Sequence, residues 1–173
     1  MLTRDKIIEL FGLLNTALRE KGEMGEVGIV GGAAMCVAFN VRESTKDVDA
    51  IFRPTQLIRA LVAKIGNDHR LDNDWLNDAA KGFIEGTFAT TEVFNGSNLR
   101  VWAPEPRYML AMKCLSGRWD TLDKTDVKFL IDLLLLKKKE EVFVIIEGFF
   151  PKERIPPKTQ FFIEEIMEKK RKK

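Results

Sequence analysis

Residues 26–52 read EVGIVGGAAMCVAFNVRESTKDVDAIF, and the fold turns on this stretch. An apolar run, Val27-Gly28-Ile29-Val30, stops at the pair Gly31–Gly32. Small and apolar residues follow, then Arg42 and Thr45, then a strand-like run with two carboxylates one residue apart, Asp47 and Asp49. Residues 26–30 thus read as a buried strand and 32–39 as a short apolar helix entered through the glycine pair. Residues 47–52 read as a second strand. Alternation along it puts Val48, Ala50 and Phe52 on one face and Asp47, Asp49 and Ile51 on the other.

Two carboxylates on one strand face lie roughly 6–7 Å apart at Cα. That spacing suits a grip on a divalent cation, and Mg²⁺ favours one or two carboxylates completed by phosphate oxygens and water. The glycine pair supplies the other half of such a site. Without side chains, backbone N–H groups approach a phosphate closely, and a following helix N-terminus favours negative charge. Each part alone is ordinary, since Asp-x-Asp usually lies on a solvated face and Gly-Gly usually makes a tight turn. Their conjunction at about 15 residues is the informative feature.

Upstream, Ile7, Phe11, Leu14 and Leu18 form one stripe of a helix over 3–21, capped by Thr3 and broken by Gly22 and Gly25. Downstream, Pro54 opens a helix with Leu57, Ile58, Leu61, Val62 and Ile65 inward, stopped by Gly66. A short helix is expected over 73–80, ended by Gly82. Strands are expected over 87–94 and 99–103, joined by the hairpin turn Asn95-Gly96-Ser97-Asn98. From Pro104 the pattern is helical. One helix carries Tyr108, Met109, Met112 and Leu115 and ends near Gly117. Another spans 124–138 with Val127, Leu130, Ile131 and Leu134 inward. A third covers 140–149, and a last one after Pro156–Pro157 carries Phe162, Ile163, Ile166 and Met167.

Strand, Gly-Gly, helix, then hydrophobic-Asp-hydrophobic-Asp resembles the nucleotidyltransferase superfamily related to DNA polymerase β. The matching residues are Gly31, Gly32 and Asp47-Val48-Asp49. Arg42 and Thr45 together with the Asp pair further resemble a bacterial subgroup containing the AbiEii-type toxins and the DUF6036 proteins. Leu99-Arg100-Val101 with Pro104, then Leu110-Ala111-Met112-Lys113, Arg118, Asp123 and Asp126, is similar to a second segment of that subgroup. Trp75-Leu76-Asn77-Asp78 with Lys81-Gly82-Phe83 also looks like DUF6036 proteins. The resemblance covers about residues 26–132.

The resemblance implies an α+β fold: a small mixed sheet flanked by helices over 1–103, with a C-terminal helical bundle over 104–173 forming one compact unit with it. It implies Mg²⁺ or Mn²⁺ on Asp47 and Asp49, and nucleotide phosphates at Gly31, Gly32, Arg42 and Thr45. Lys113 would neutralise the triphosphate, supported by Arg118, Asp123 and Asp126. The wider superfamily uses a third metal-site carboxylate on a later strand. Glu92 is the first choice for it and Asp78 the second.

The implied activity is transfer of a nucleoside monophosphate from a nucleoside triphosphate to an RNA, protein or small-molecule acceptor. The alternative is an inactive module on the same fold that docks a protein partner, as in a toxin–antitoxin or defence pair. A weaker third reading makes it an RNA-binding protein led by its basic tail. Net charge is +2 over 173 residues. Residues 169–173 carry five of the 28 basic residues, which leaves 23 against 26 acidic ones, so the body is not a polyanion-binding surface. No apolar run reaches the roughly 18 residues of a membrane helix, and Asp5 and Glu9 interrupt any signal-peptide pattern. Cys36 and Cys114 read as buried thiols of a cytoplasmic protein. His69, the sole histidine, excludes a histidine-based metal site or triad. Trp75, Trp102 and Trp119 read as packing residues.

Overall fold

The structure is a computed structural model that describes residues 1–82, 84–116 and 121–171. The chain divides into two compact units, Met1–Ile84 with Ala89–Pro104 and Glu85–Phe88 with Glu105–Lys173.

In the first unit, helix α1 (Arg4–Glu20) begins where the Thr3 hydroxyl accepts the Lys6 N–H at 3.3 Å. Its stripe Ile7, Phe11, Leu14 and Leu18 is fully buried, each side chain contributing about 1.5–3 kcal/mol of burial. Strand β1 (Leu2–Thr3) precedes it, β2 (Gly25–Ile29) follows, and α2 (Gly31–Val37) comes next. Then come β3 (Ser44–Thr45), β4 (Val48–Arg53), α3 (Thr55–Asp68), β5 (Leu76–Asn77), β6 (Thr90–Asn95) and β7 (Leu99–Pro104).

Among the described residues, five of these strands form one mixed sheet in the order β5-β4-β2-β7-β6. β2 runs antiparallel to β4 and parallel to β7, β4 parallel to β5, and β6 antiparallel to β7. β1 and β3 pair separately, with Leu2 opposite Thr45. The expected α+β class with a small mixed sheet and flanking helices is the class observed. Val48, Ala50 and Phe52 are buried while Asp49 and Ile51 on the other face are half-exposed, as alternation requires.

Two local expectations fail. Gly66 does not stop α3, which continues to Asp68. It is buried because the loop after the helix crosses it, and a Cβ there would meet the Asp72 carbonyl oxygen at 2.8 Å. Residues 73–80 are not a helix either. The Trp75 carbonyl accepts the Val48 N–H at 2.8 Å, and residues 76–77 extend the sheet beside β4 before a 3₁₀ turn over Ala79–Gly82. Unpaired backbone at the β4 edge captures that short segment, which its own periodicity does not announce. Trp75 is buried with Nε1 donating to the Val62 carbonyl, and Trp102 lies across Gly28 with Nε1 donating to Glu26 at 2.9 Å.

The second unit is helical: α4 (Pro106–Ser116), α5 (Thr121–Leu133), α6 (Lys139–Phe149) and α7 (Pro157–Arg171). Tyr108 anchors it. Its ring stacks on Phe88 at 3.9 Å and meets Phe149 edge-on at 5.1 Å. Its hydroxyl accepts the Glu85 N–H and donates to the Glu85 carbonyl, both at 2.9 Å. Tyr108 and Met109 are buried, but Met112 and Leu115 are only half-buried. The inward face instead includes Leu110, Ala111, Lys113 and Cys114. At the far end Lys170 pairs with Asp132 at 2.6 Å and donates to the Leu136 carbonyl. That residue of the basic tail therefore serves the fold. Arg118 and Trp119 lie outside the described residues.

Candidate functional site

The chain turns from β2 into α2 at Gly31, whose φ of +60° suits glycine. A side chain there would cost about 1–2 kcal/mol in backbone strain alone. It would also fill the space beside Asp49, since a Cβ on Gly31 would sit 3.3 Å from Asp49 Oδ2. The same turn is tied to β4 through the backbone, because the Val30 N–H donates to the Asp49 carbonyl at 2.9 Å. The bare Cα of Gly31 is thus held close beside a carboxylate oxygen of the sheet.

Gly32 faces the segment that returns from α2. Asn40 adopts a positive φ and the Val41 N–H bonds back to the Met35 carbonyl, so residues 42–45 run back along the helix. They bring Thr45 Oγ1 to 2.7 Å and Arg42 Nη1 to 3.1 Å from the point where a Gly32 Cβ would stand. Thr45 is buried and fixed by pairing with Leu2. The Cys36 thiol, one turn on from Gly32, is pushed up by burial, with Arg4 and Arg42 nearby acting against that rise. The glycine turn, Arg42, Thr45 and Asp49 are therefore one neighbourhood of backbone donors, a cation, a hydroxyl and a carboxylate. Asp47 is half-exposed at the bend entering β4, which starts one residue later than expected.

The third carboxylate fares differently. Glu92 lies on β6, at the opposite edge of the sheet from β5, with β2 and β7 between it and β4. Three strand spacings place it about 14 Å from β4, opposite Trp102 and 4.0 Å from the Arg100 guanidinium. It does not join the aspartates. Asp78 follows β5 and is nearer, but the Arg59 guanidinium grips both its oxygens at 2.7 and 2.9 Å. Those bonds hold its carboxyl below the usual carboxylate range. Among the described residues no three His, Cys, Asp or Glu side chains are grouped to hold a metal ion. Mg²⁺ takes one or two carboxylates when phosphate oxygens and water complete its shell, a donor set that Asp49 beside the glycine turn would suit.

One polar residue of this neighbourhood enters the sequence reading only as part of Trp75-Leu76-Asn77-Asp78, with no site role. Asn77 is the register partner of Asp49 across the parallel β4–β5 pair. Only the unexpected strand β5 puts it there.

In the helical unit, Lys113, Asp123 and Asp126 come together. Lys113 Nζ lies 2.6 Å from Asp123 Oδ1 and 2.8 Å from Asp126 Oδ2, and all three residues are buried. The two aspartates, three apart on α5, thus orient Lys113 on α4 as their spacing allows. The ammonium is engaged by both. No helix among the described residues is long and apolar enough to cross a membrane.

The family described as a nucleotidyltransferase of unknown function, DUF6036, matches residues 5–138. No curated protein and no solved structure matches the chain.

Proposed function

The chain belongs to the nucleotidyltransferase family DUF6036, and from that premise we propose that it transfers a nucleoside monophosphate from a nucleoside triphosphate to an acceptor, with Mg²⁺ or Mn²⁺. The observation that carries this reading is the meeting of Gly31 with Asp49: the turn into α2 stands directly beside a carboxylate oxygen, with Thr45 and Arg42 against the adjoining Gly32. Gly31 and Gly32 would receive the phosphates, with Arg42 and the Thr45 hydroxyl as further donors. Asp47 and Asp49 would hold the cation, which when bound offsets the charge on the phosphates. An acceptor oxygen then attacks the α-phosphorus as the bond to the leaving pyrophosphate breaks. Positioning and charge neutralisation supply most of the acceleration in such transfers.

The resemblance to AbiEii-type proteins favours RNA or protein as acceptor. Lys113, held by two carboxylates, serves this reading best as a support of the helical unit, with Asp123 and Asp126. The test is transfer of label from each α-labelled nucleoside triphosphate in Mg²⁺, with tRNA or protein offered as acceptor. Asp49→Asn should lower the rate by about 100-fold or more, the scale seen when one transition-state electrostatic contact is removed. Equal rates in the wild type and the Asp47→Asn/Asp49→Asn variant would sink the proposal.

The lack of a third metal-site acid among the described residues favours a second reading, an inactive module that binds a protein partner. A partner that co-purifies stably, with no Mg²⁺-dependent nucleotide binding by calorimetry, would support it. Asp49-dependent turnover would remove it.

A further inference from the structure

We propose that Asn77 is a positioning residue that makes cation binding at Asp47 and Asp49 conditional on the nucleotide. This deepens the nucleotidyltransferase reading and rests on it. β5 runs parallel to β4 with Asp49 opposite Asn77. Directly opposed residues share a sheet face at a strand spacing of about 4.8 Å, so Asn77 stands beside Asp49. Gly31, on the β2 side of β4, flanks the same carboxylate. Asp49 therefore lies between the glycine turn and an amide.

That amide is oriented. Its Oδ1 accepts the Ala79 N–H at 3.0 Å, which leaves the Nδ2 hydrogens as its donors. Asn77 is half-buried at the end of the strand. The next residue, Asp78, adds no available anion because Arg59 neutralises it. The neighbouring strand thus presents Asp49 with a neutral donor followed by an ion-paired acid. Cation affinity in oxygen sites follows the count of charged ligands. With two carboxylates, the Arg42 cation in the same neighbourhood and a neutral third position, the site lacks the charge to strip and keep Mg²⁺ by itself. Nucleotide phosphates, entering at the glycine turn, complete both the charge and the oxygen shell. Ligand and cation then bind as one unit, and the Asn77 amide donates to an oxygen of that assembly.

The experiment is a Mn²⁺ titration of the full chain, read by the electron paramagnetic resonance of free Mn²⁺. It is run alone and with each α,β-methylene nucleoside triphosphate. The wild type should bind Mn²⁺ at least about tenfold more tightly with a nucleotide analogue than without. Asn77→Asp adds the third charge, so it should raise affinity for Mn²⁺ alone by about tenfold and narrow that gap. Asn77→Ser keeps an acceptor for the Ala79 N–H but removes the amide donors. It should leave binding of Mn²⁺ alone unchanged and weaken the Mn²⁺–nucleotide complex several-fold. Circular dichroism reports whether each variant folds, and the serine variant decides if the aspartate one does not. Titrations of both variants that superimpose on the wild type, while Asp49→Asn abolishes Mn²⁺–nucleotide binding, would overturn the role of Asn77 and leave the nucleotidyltransferase reading standing. Wild type and Asp49→Asn that bind alike would overturn both.

Discussion

Gly31 shows how much one missing methyl group decides. Its positive φ makes the turn and its bare Cα lets Asp49 stand close beside it. Gly31→Ala should cost about 1–2 kcal/mol from the backbone alone, read as a lower urea midpoint at unchanged m value. Gly32→Ala tests the neighbouring position. A Cβ 2.7 Å from Thr45 Oγ1 must push the Thr45 and Arg42 side chains aside. Nucleotide affinity should therefore fall by more than stability does, as calorimetry and thermal melts run side by side would report. Asp78 offers a pH test. Its folded carboxyl is held low by Arg59, so the contribution of the pair is full above the ordinary carboxylate value and is lost as pH falls through the depressed one. The pair is largely solvent-facing on the Arg59 side, so the effect stays within about 1 kcal/mol. Urea midpoints of Asp78→Asn should fall less between pH 5 and pH 2 than those of the wild type. Parallel pH profiles would refute it.

At the scale of elements, most helices were legible because each carries its apolar residues at helical spacing. The stripe of α1 is buried residue for residue. α4 was legible as a helix, but its inward face was set by partners. Lys113 turns inward because Asp123 and Asp126 on α5 receive it, and a lysine on a helix announces no such burial. Lys113→Met should leave two buried carboxylates without their cation and cost about 3–5 kcal/mol. Adding Asp123→Asn and Asp126→Asn to it should recover much of that loss in thermal melts, since the cost arises from uncompensated charge. β5 is the opposite case. Two residues hold no period, and nothing local in Trp75-Leu76-Asn77-Asp78 says strand. The free edge of β4 supplies the partner groups, and with them the pairing of Asn77 with Asp49.

Across the whole molecule, both thiols lie in cores. Cys36 is fully buried in the first unit, and the Cys114 thiol in the second is pushed up to about 12 by burial. Neither should react with a thiol-specific disulfide reagent at pH 8 in the native protein, and both should after urea denaturation. Rapid native labelling of Cys114 would contradict the packing of the helical unit. The sequence by itself determined the glycine turn and the placement of Asp49, because these follow from steric freedom at glycine and strand alternation. Its resemblance to a known family implied the fold class. Only the tertiary structure decided which residues stand around Asp49. Glu92 was separated from it by strand order, Asp78 was taken by Arg59, and Asn77 was brought beside it by a two-residue strand. Strand order and edge pairing join residues distant along the chain, and no local pattern records which edge a short segment will find.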